Sequence, residues 1–228
     1  MGTRYQEPWS FDRQTLDTYR DYLNLRYRFV PFLYDQLRHE TESGLPVMRP
    51  LVLNYDQDPA VRQINDEYMV GTSILVAPIV NQGADKRLVY LPAGKWLDFW
   101  NNAEYSGQQT IMVNAPLEKL PLFIKKDTIL PWGNKVKHIS DEPEKVMTFR
   151  LFGDCGAYKH YQDNGLDFKY QEGEYNEYYV EVANDGQVAV KLNKHGYQPT
   201  YERVYVETDR GRFEFDYDDS NEDYRLVK

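Results

Sequence analysis

The sequence predicts a mostly β protein that opens with an α/β segment, and three observations carry that prediction. A long amphipathic helix comes first, a strand and a short helix follow it, and beyond Gly71 short β-prone runs alternate with turn residues to the end of the chain. Apolar spacing of three and four residues marks a helical face, and apolar runs of four to eight residues bounded by turns mark strands. The opening order of helix, strand and helix is a piece of an α/β layer. The later pattern is that of antiparallel sandwiches. With 228 residues, 41% of them hydrophobic and 15% aromatic, the chain has the material for a sizeable core.

The helix is expected from Asp12 to about Thr41, where Leu16, Tyr19, Leu23, Tyr27, Val30, Leu33, Tyr34 and Leu37 recur along one face. Ser10 or Asp12 caps its start, and Gly44 followed by Pro46 closes it. Pro31 lies inside the pattern and removes a backbone donor, so a kink or break is expected near Tyr27. Pro46 to Tyr55 reads as a short strand and a loop, interrupted by two prolines and Arg49. A short helix is expected around Pro59 to Tyr68.

Strands are then expected at Ser73 to Val80, Arg87 to Leu91, Trp96 to Trp100, Thr110 to Val113, Leu122 to Leu130 and Val146 to Phe152. Turn residues such as Asn81-Gln82-Gly83, Pro92-Ala93-Gly94 and Ser106-Gly107 separate them. A second set of strands begins near Tyr158, with turns at Asp163-Asn164-Gly165, Gln171-Glu172-Gly173 and Asn184-Asp185-Gly186. His138 to Lys145 is the expected connection between the two sets.

Charge and cysteine content narrow the functional classes. The 27 Lys and Arg against 36 Asp and Glu leave a net charge of −9, which opposes binding to phosphate backbones or anionic lipid. No nucleic-acid or membrane partner is expected, and no run approaches the ~20 apolar residues of a membrane span. Cys155 is the single cysteine, so no internal disulfide forms and a cytoplasmic location is the expectation.

Four motifs in order resemble the C-terminal third of family 31 glycoside hydrolases, the α-glucosidase and α-xylosidase group. GTRYQEPW (2 to 9) leading into YLNLRYRFVPFLYDQL (22 to 37) is similar to the loop after the seventh barrel strand and its helix. GLPVMRPLVLNY (44 to 55) running to YMVGTSILVAPIV (68 to 80) is similar to the eighth strand, the last helix and the first sandwich strand. LPAGKWLDFW (91 to 100) with PLEKLPLFIKKDTILP (116 to 131) resembles the proximal β-domain, and FRLFGDCGAYKHYQDNGLDFKYQEGEY (149 to 175) the join to the distal one. The last of these has Asp-Asn-Gly where the family commonly has Asp-Asp-Gly.

The resemblance implies a fold made of the last helix, strand and helix of a (β/α)8 barrel followed by two antiparallel β-sandwich domains. It divides the chain into a barrel remnant (1–71), a proximal C-terminal β-domain (72–152) and a distal one (153–228). It also implies a parent that hydrolyses O-glycosyl bonds of α-linked oligosaccharides with retention. That chemistry needs two carboxyl groups ~5 Å apart, one to attack and one to protonate the leaving oxygen.

In the family both aspartates precede the matched segment, as does the Arg-Asn-His run whose histidine lines the sugar pocket. No catalytic residue is therefore carried over, the chain alone is expected to be inactive, and its standing as an enzyme is left open. Arg4, Gln6, Glu7 and Trp9 sit on a loop of the kind that lines barrel active sites, so they are the substrate-binding candidates. The missing N-terminal barrel portion is the expected protein partner, with a split enzyme as one alternative and a carbohydrate-binding or scaffolding module as another.

Other constellations read as structure. Asp163 with Asp167, and Asp216 with Asp218 and Asp219, lie in turn-rich segments where carboxylates cap backbone donors. Asp163-Asn164-Gly165 lacks the further ligands of a calcium loop. His39, His138, His160 and His195 are scattered without metal-ligand spacing, and neither a metal nor a cofactor is expected. Cys155 and His160 are read as packing and not as a nucleophile pair. Trp96, Trp100, Tyr105 and Trp132 are read as core or interface residues in preference to a sugar platform.

Overall fold

A computed structural model describes residues 2, 5–136, 144–198 and 200–227, so Arg4, His138 and most of the expected 138–145 connection lie outside the described residues. A single turn of 3-10 helix at Pro8–Ser10 leads into α1 (Arg13–Ser43). The Asp12 carboxylate accepts the Thr15 N–H at 2.7 Å, and Gly44, at φ 72°, closes the helix by donating to the Glu40 carbonyl. The bonded Asp12 carboxyl is held below its ordinary range by that backbone donor.

Pro31 does not break the helix, which runs through it as one element. Proline has no N–H to offer the Tyr27 carbonyl, and the chain leaving the Thr128–Trp132 strand runs beside that turn. The Gly133 N–H donates to the Arg28 carbonyl at 2.8 Å. A Cβ on Gly133 would stand 2.9 Å from the Tyr27 oxygen and 3.1 Å from the Pro31 ring, so only glycine allows that approach.

Next come β1 (Met48–Pro50), a helical turn α2 (Leu51–Asn54) where a loop was expected, and a 3-10 turn at Pro59–Gln63 in place of the short helix. Short strands follow: β2 (Tyr68–Val70), β3 (Ile74–Val76), β4 (Lys86–Leu91), β5 (Lys95–Asp98), β6 (Glu104–Ser106), β7 (Gln109–Asn114) and β8 (Leu122–Lys125). The run read as one strand from Leu122 to Leu130 is two, because Asp127 turns the chain at φ 65° before β9 (Thr128–Trp132). The chain ends with β10 (Val146–Phe152), β11 (Gly156–Gln162), β12 (Asn176–Val182), β13 (Val188–His195), β14 (Arg203–Thr208), β15 (Gly211–Asp218) and β16 (Asp223–Leu226).

Among the described residues these strands form four sheets. The six-stranded one has the order β1-β2-β3-β8-β5-β6 and is antiparallel throughout. One of its faces packs on the β4–β7 ribbon around Leu75, Trp96 and Phe123. Its other face meets α1, β9 and β10 through Ile74, Ile124, Phe32 and Leu130.

The five-stranded sheet, β16-β15-β14-β10-β9, is mixed: β10 pairs β14 in parallel and β9 antiparallel. It packs on the antiparallel β11-β12-β13 sheet over Phe149, Tyr178, Val180, Val204 and Phe215. Strands on both sides of residue 152 therefore share one hydrogen-bonded ladder.

The face of α1 that is buried differs from the stripe read in the sequence. Phe32 and Asp35 are buried, with Leu25, Phe29 and Leu33 packed beside them, while Tyr19 and Leu37 are 49% and 51% exposed. The helix has two apolar faces, and periodicity picked out the longer, outward one. Of the twenty large apolar side chains left exposed among the described residues, eleven fall within residues 5–53.

Candidate functional site

A buried polar cluster fastens α1 to the distal strands. Asp35, the one polar side chain of the buried helix face, lies 7% exposed where α1 meets β11. Its Oδ2 accepts the Tyr158 hydroxyl at 2.9 Å and contacts His160 Nδ1 at 2.8 Å, while Oδ1 accepts the Tyr161 N–H at 2.9 Å. His160 Nε2 lies 2.9 Å from the Tyr201 hydroxyl. Burial pushes the Tyr158 and Tyr201 phenols well above their usual range. Facing the acceptor-only Asp35 carboxylate, Nδ1 carries the ring proton, which leaves Nε2 to accept from the Tyr201 hydroxyl.

A hydroxyl, an imidazole and a carboxylate in line have the order of a nucleophilic relay. Here the hydroxyl is a phenol with a raised pKa, and His160 and Tyr201 are 2% and 4% exposed. With hydroxyl and imidazole both buried, the arrangement is a tie between helix and sheet. Cys155 takes no part: its backbone N–H points to Asp127, and His160 turns to Asp35.

One helical turn on, Arg38 stacks its guanidinium 5.0 Å from the Tyr161 ring and 5.5 Å from that of Tyr175. Asp163 accepts the Tyr34 and Tyr161 hydroxyls at 2.6 and 2.8 Å and caps the Gly165 N–H. Burial first, and the hydrogen bond to Asp163 second, raise both phenols. The Asp163-Asn164-Gly165 segment is thus a turn pinned to the helix, and its acid is spent on tyrosines. Asp167 caps Lys169, Asp216 pairs Arg203 and Asp218 pairs Arg225. Among the described residues no three His, Cys, Asp or Glu side chains converge as a metal site.

Buried charge gathers a second time beneath β4. Glu67 Oε1 accepts the Tyr90 N–H at 2.9 Å and Arg87 Nη2 at 3.2 Å, while its Oε2 is buried without a partner. Burial outweighs those bonds and pushes the carboxyl up to about 7. Arg49 on β1 is 1% exposed, donates Nε to the Pro46 carbonyl and leaves Nη2 unpartnered.

Of the substrate-binding candidates, Gln6 and Trp9 are exposed, Trp9 at 72%, and Glu7 is half-buried, accepting the Ser10 hydroxyl at 3.4 Å. They share an open loop with Tyr5 and Phe11, also exposed. The tryptophans do not form a common platform. Trp96 is fully buried with its indole N–H on the Pro92 carbonyl, while Phe99 packs against Trp100 and Trp132 on the α1 side of the sheet.

Comparison with known proteins defines the class. Residues 1–36 match the glycosyl hydrolases family 31 TIM-barrel domain, and residues 44–130 match the family's C-terminal domain. The chain belongs to glycoside hydrolase family 31 and is equivalent to the C-terminal part of its members.

Among relatives, Alpha-glucosidase 2 of Bacillus thermoamyloliquefaciens is 34% identical over 90% of this chain and 27% of its own length. The Alpha-xylosidase of Saccharolobus solfataricus is 31% identical over 75% of this chain and 24% of its own. The GH31 dextranase of Flavobacterium johnsoniae, solved in complex with isomaltotriose, superposes with a TM-score of 0.82 at 30% identity, over 91% of this chain and 27% of its own. The chain spans about a quarter of the length of these relatives. Among the described residues no helix is long and apolar enough to cross a membrane.

Proposed function

We propose that this chain is the bracing, non-catalytic C-terminal portion of a retaining α-glucosidase-type hydrolase that acts on α-linked oligosaccharides. The observation that carries the proposal is the unequal dress of α1. Its inner face is locked to β-domains by Asp35, Phe29 and Phe32, and its outer face offers Tyr19, Leu23 and Leu37 to solvent. An apolar stripe of that length is rarely left open. The rest of a barrel would cover it.

On this reading Arg4, Gln6, Glu7 and Trp9 approach the substrate pocket of a completed barrel and no residue here acts as nucleophile or acid. The division at residues 71 and 152 and a cytoplasmic location belong to the same proposal. The test is hydrolysis by the purified 228-residue chain of p-nitrophenyl α-glucoside and α-xyloside. No release above buffer is the expected result, and turnover that follows the chain through purification would overturn the proposal.

A further inference from the structure

An open cleft lies away from the candidate loop, between the β5–β6 turn and the β14–β15 hairpin, with a volume of about 470 Å³. It is within the size range of small-molecule sites, roughly 300–1,000 Å³. Ladder register builds its lining: Arg150 of β10 stands beside Glu207 of β14, which stands beside Arg212 of β15. Neighbouring opposite charges on adjacent strands ordinarily pair. Here Arg150 and Glu207 form no ion pair, and Glu207 reaches Arg212 only at 3.9 Å.

Aromatic rings hold the guanidinium groups instead. Arg150 lies 4.9 Å from the Phe152 ring centre and 5.8 Å from that of Trp132, and Arg212 lies 3.5 Å from that of Tyr205. Stacking occupies the faces of a guanidinium and leaves its N–H edge to donate. Asp209 and Asn102 also line the cleft, both exposed, with no side-chain hydrogen bond in the structure.

We propose that this cleft is a second, non-catalytic binding site for an uncharged pyranoside. Two guanidinium groups and two carboxylates leave the lining near neutral, so an anion would meet Glu207 and Asp209 and a cation would meet Arg150 and Arg212. A ligand rich in hydroxyls donates to the carboxylates and accepts from the guanidinium edges at once, bridging Arg150 and Glu207, which do not pair with each other. Leu97 and Phe152, both buried, form the floor beneath these polar groups. The site needs no catalytic group and stands independently of the proposed parent activity.

Titration of the ¹⁵N-labelled chain with maltose and isomaltose, followed by amide shifts, tests it. Saturable shifts are expected at Arg150 and from Glu207 to Arg212, with an affinity on the order of millimolar. Arg150→Met should weaken binding about tenfold. Asp209→Asn, in an exposed turn, should weaken it several-fold with an unchanged melting temperature, which separates loss of binding from loss of fold. No saturable shift with either disaccharide, the same shifts from inorganic phosphate, or Asp209→Asn binding as tightly as the parent chain would overturn the proposal.

Discussion

Replacing Asp35 by Asn removes the carboxylate that holds α1 to the distal strands, and its cost follows from three bonds. The Tyr158 hydroxyl, His160 Nδ1 and the Tyr161 N–H all converge on that group, and its replacement keeps one oxygen and turns an NH₂ toward donors. Each buried donor left without an acceptor costs about 1–3 kcal/mol. Such losses overlap, so the total is about 2–4 kcal/mol. Against a total stability of about 5–15 kcal/mol this is a large fraction.

Urea unfolding at neutral pH, followed by tryptophan fluorescence, measures the loss. Asp17→Asn on the same helix serves as control, because the Asp17–Arg13 pair is exposed and its removal should leave the midpoint unchanged. Tyr158→Phe should cost about 1 kcal/mol, since one donor leaves with the group that made it. An Asp35→Asn loss below about 1 kcal/mol would refute the claim that this cluster is what ties helix to sheet.

Glu67 predicts a pH dependence of known sign. Its folded-state pKa, about 7, lies above the unfolded 4.5, so the folded protein binds the extra proton and stability falls as pH rises from 4.5 to 7. The gap is worth about 3 kcal/mol. Glu67→Gln should remove that slope and be the more stable protein at pH 8; equal slopes in the two proteins would exclude the assignment. Gly133→Ala should lower the melting temperature, at a cost of about 1–3 kcal/mol, because its Cβ meets the Tyr27 carbonyl and the Pro31 ring. An unchanged melting temperature would show that β9 and α1 can separate freely at that point.

The Asp12 cap, the Gly44 stop and most strands were legible because each rests on neighbours in sequence. The outward stripe of α1 was legible for the same reason, but periodicity cannot say which of two apolar faces is covered. Asp127 hid a hairpin because an aspartate in the left-handed region leaves no composition signal as plain as glycine. The parallel β10–β14 pair joins residues 57 apart, as Val146 and Arg203 are, and no local pattern announces it.

Asp35 and His160, 125 residues apart, were missed as a pair. A signal for half of it was present: Asp35 follows Phe29 and Phe32 at three-residue steps, a charged residue continuing an apolar face. The substrate-binding candidates at residues 4–9 rest on resemblance alone, since no described side chain from another part of the chain is bonded to them.

The β10–β14 ladder also sets an order of events during synthesis. β10 gains its second neighbour only after the chain has been made as far as Thr208, so until then the β9–β10 hairpin presents a free edge with Phe149 and Leu151 beside it. Pairing of distant strands is slow, and open apolar edges are prone to aggregate. A ribosome stalled before residue 203, or a protein cut at 152, would release that edge permanently. The segment from Arg203 onward is thus the clasp that closes strands made long before it.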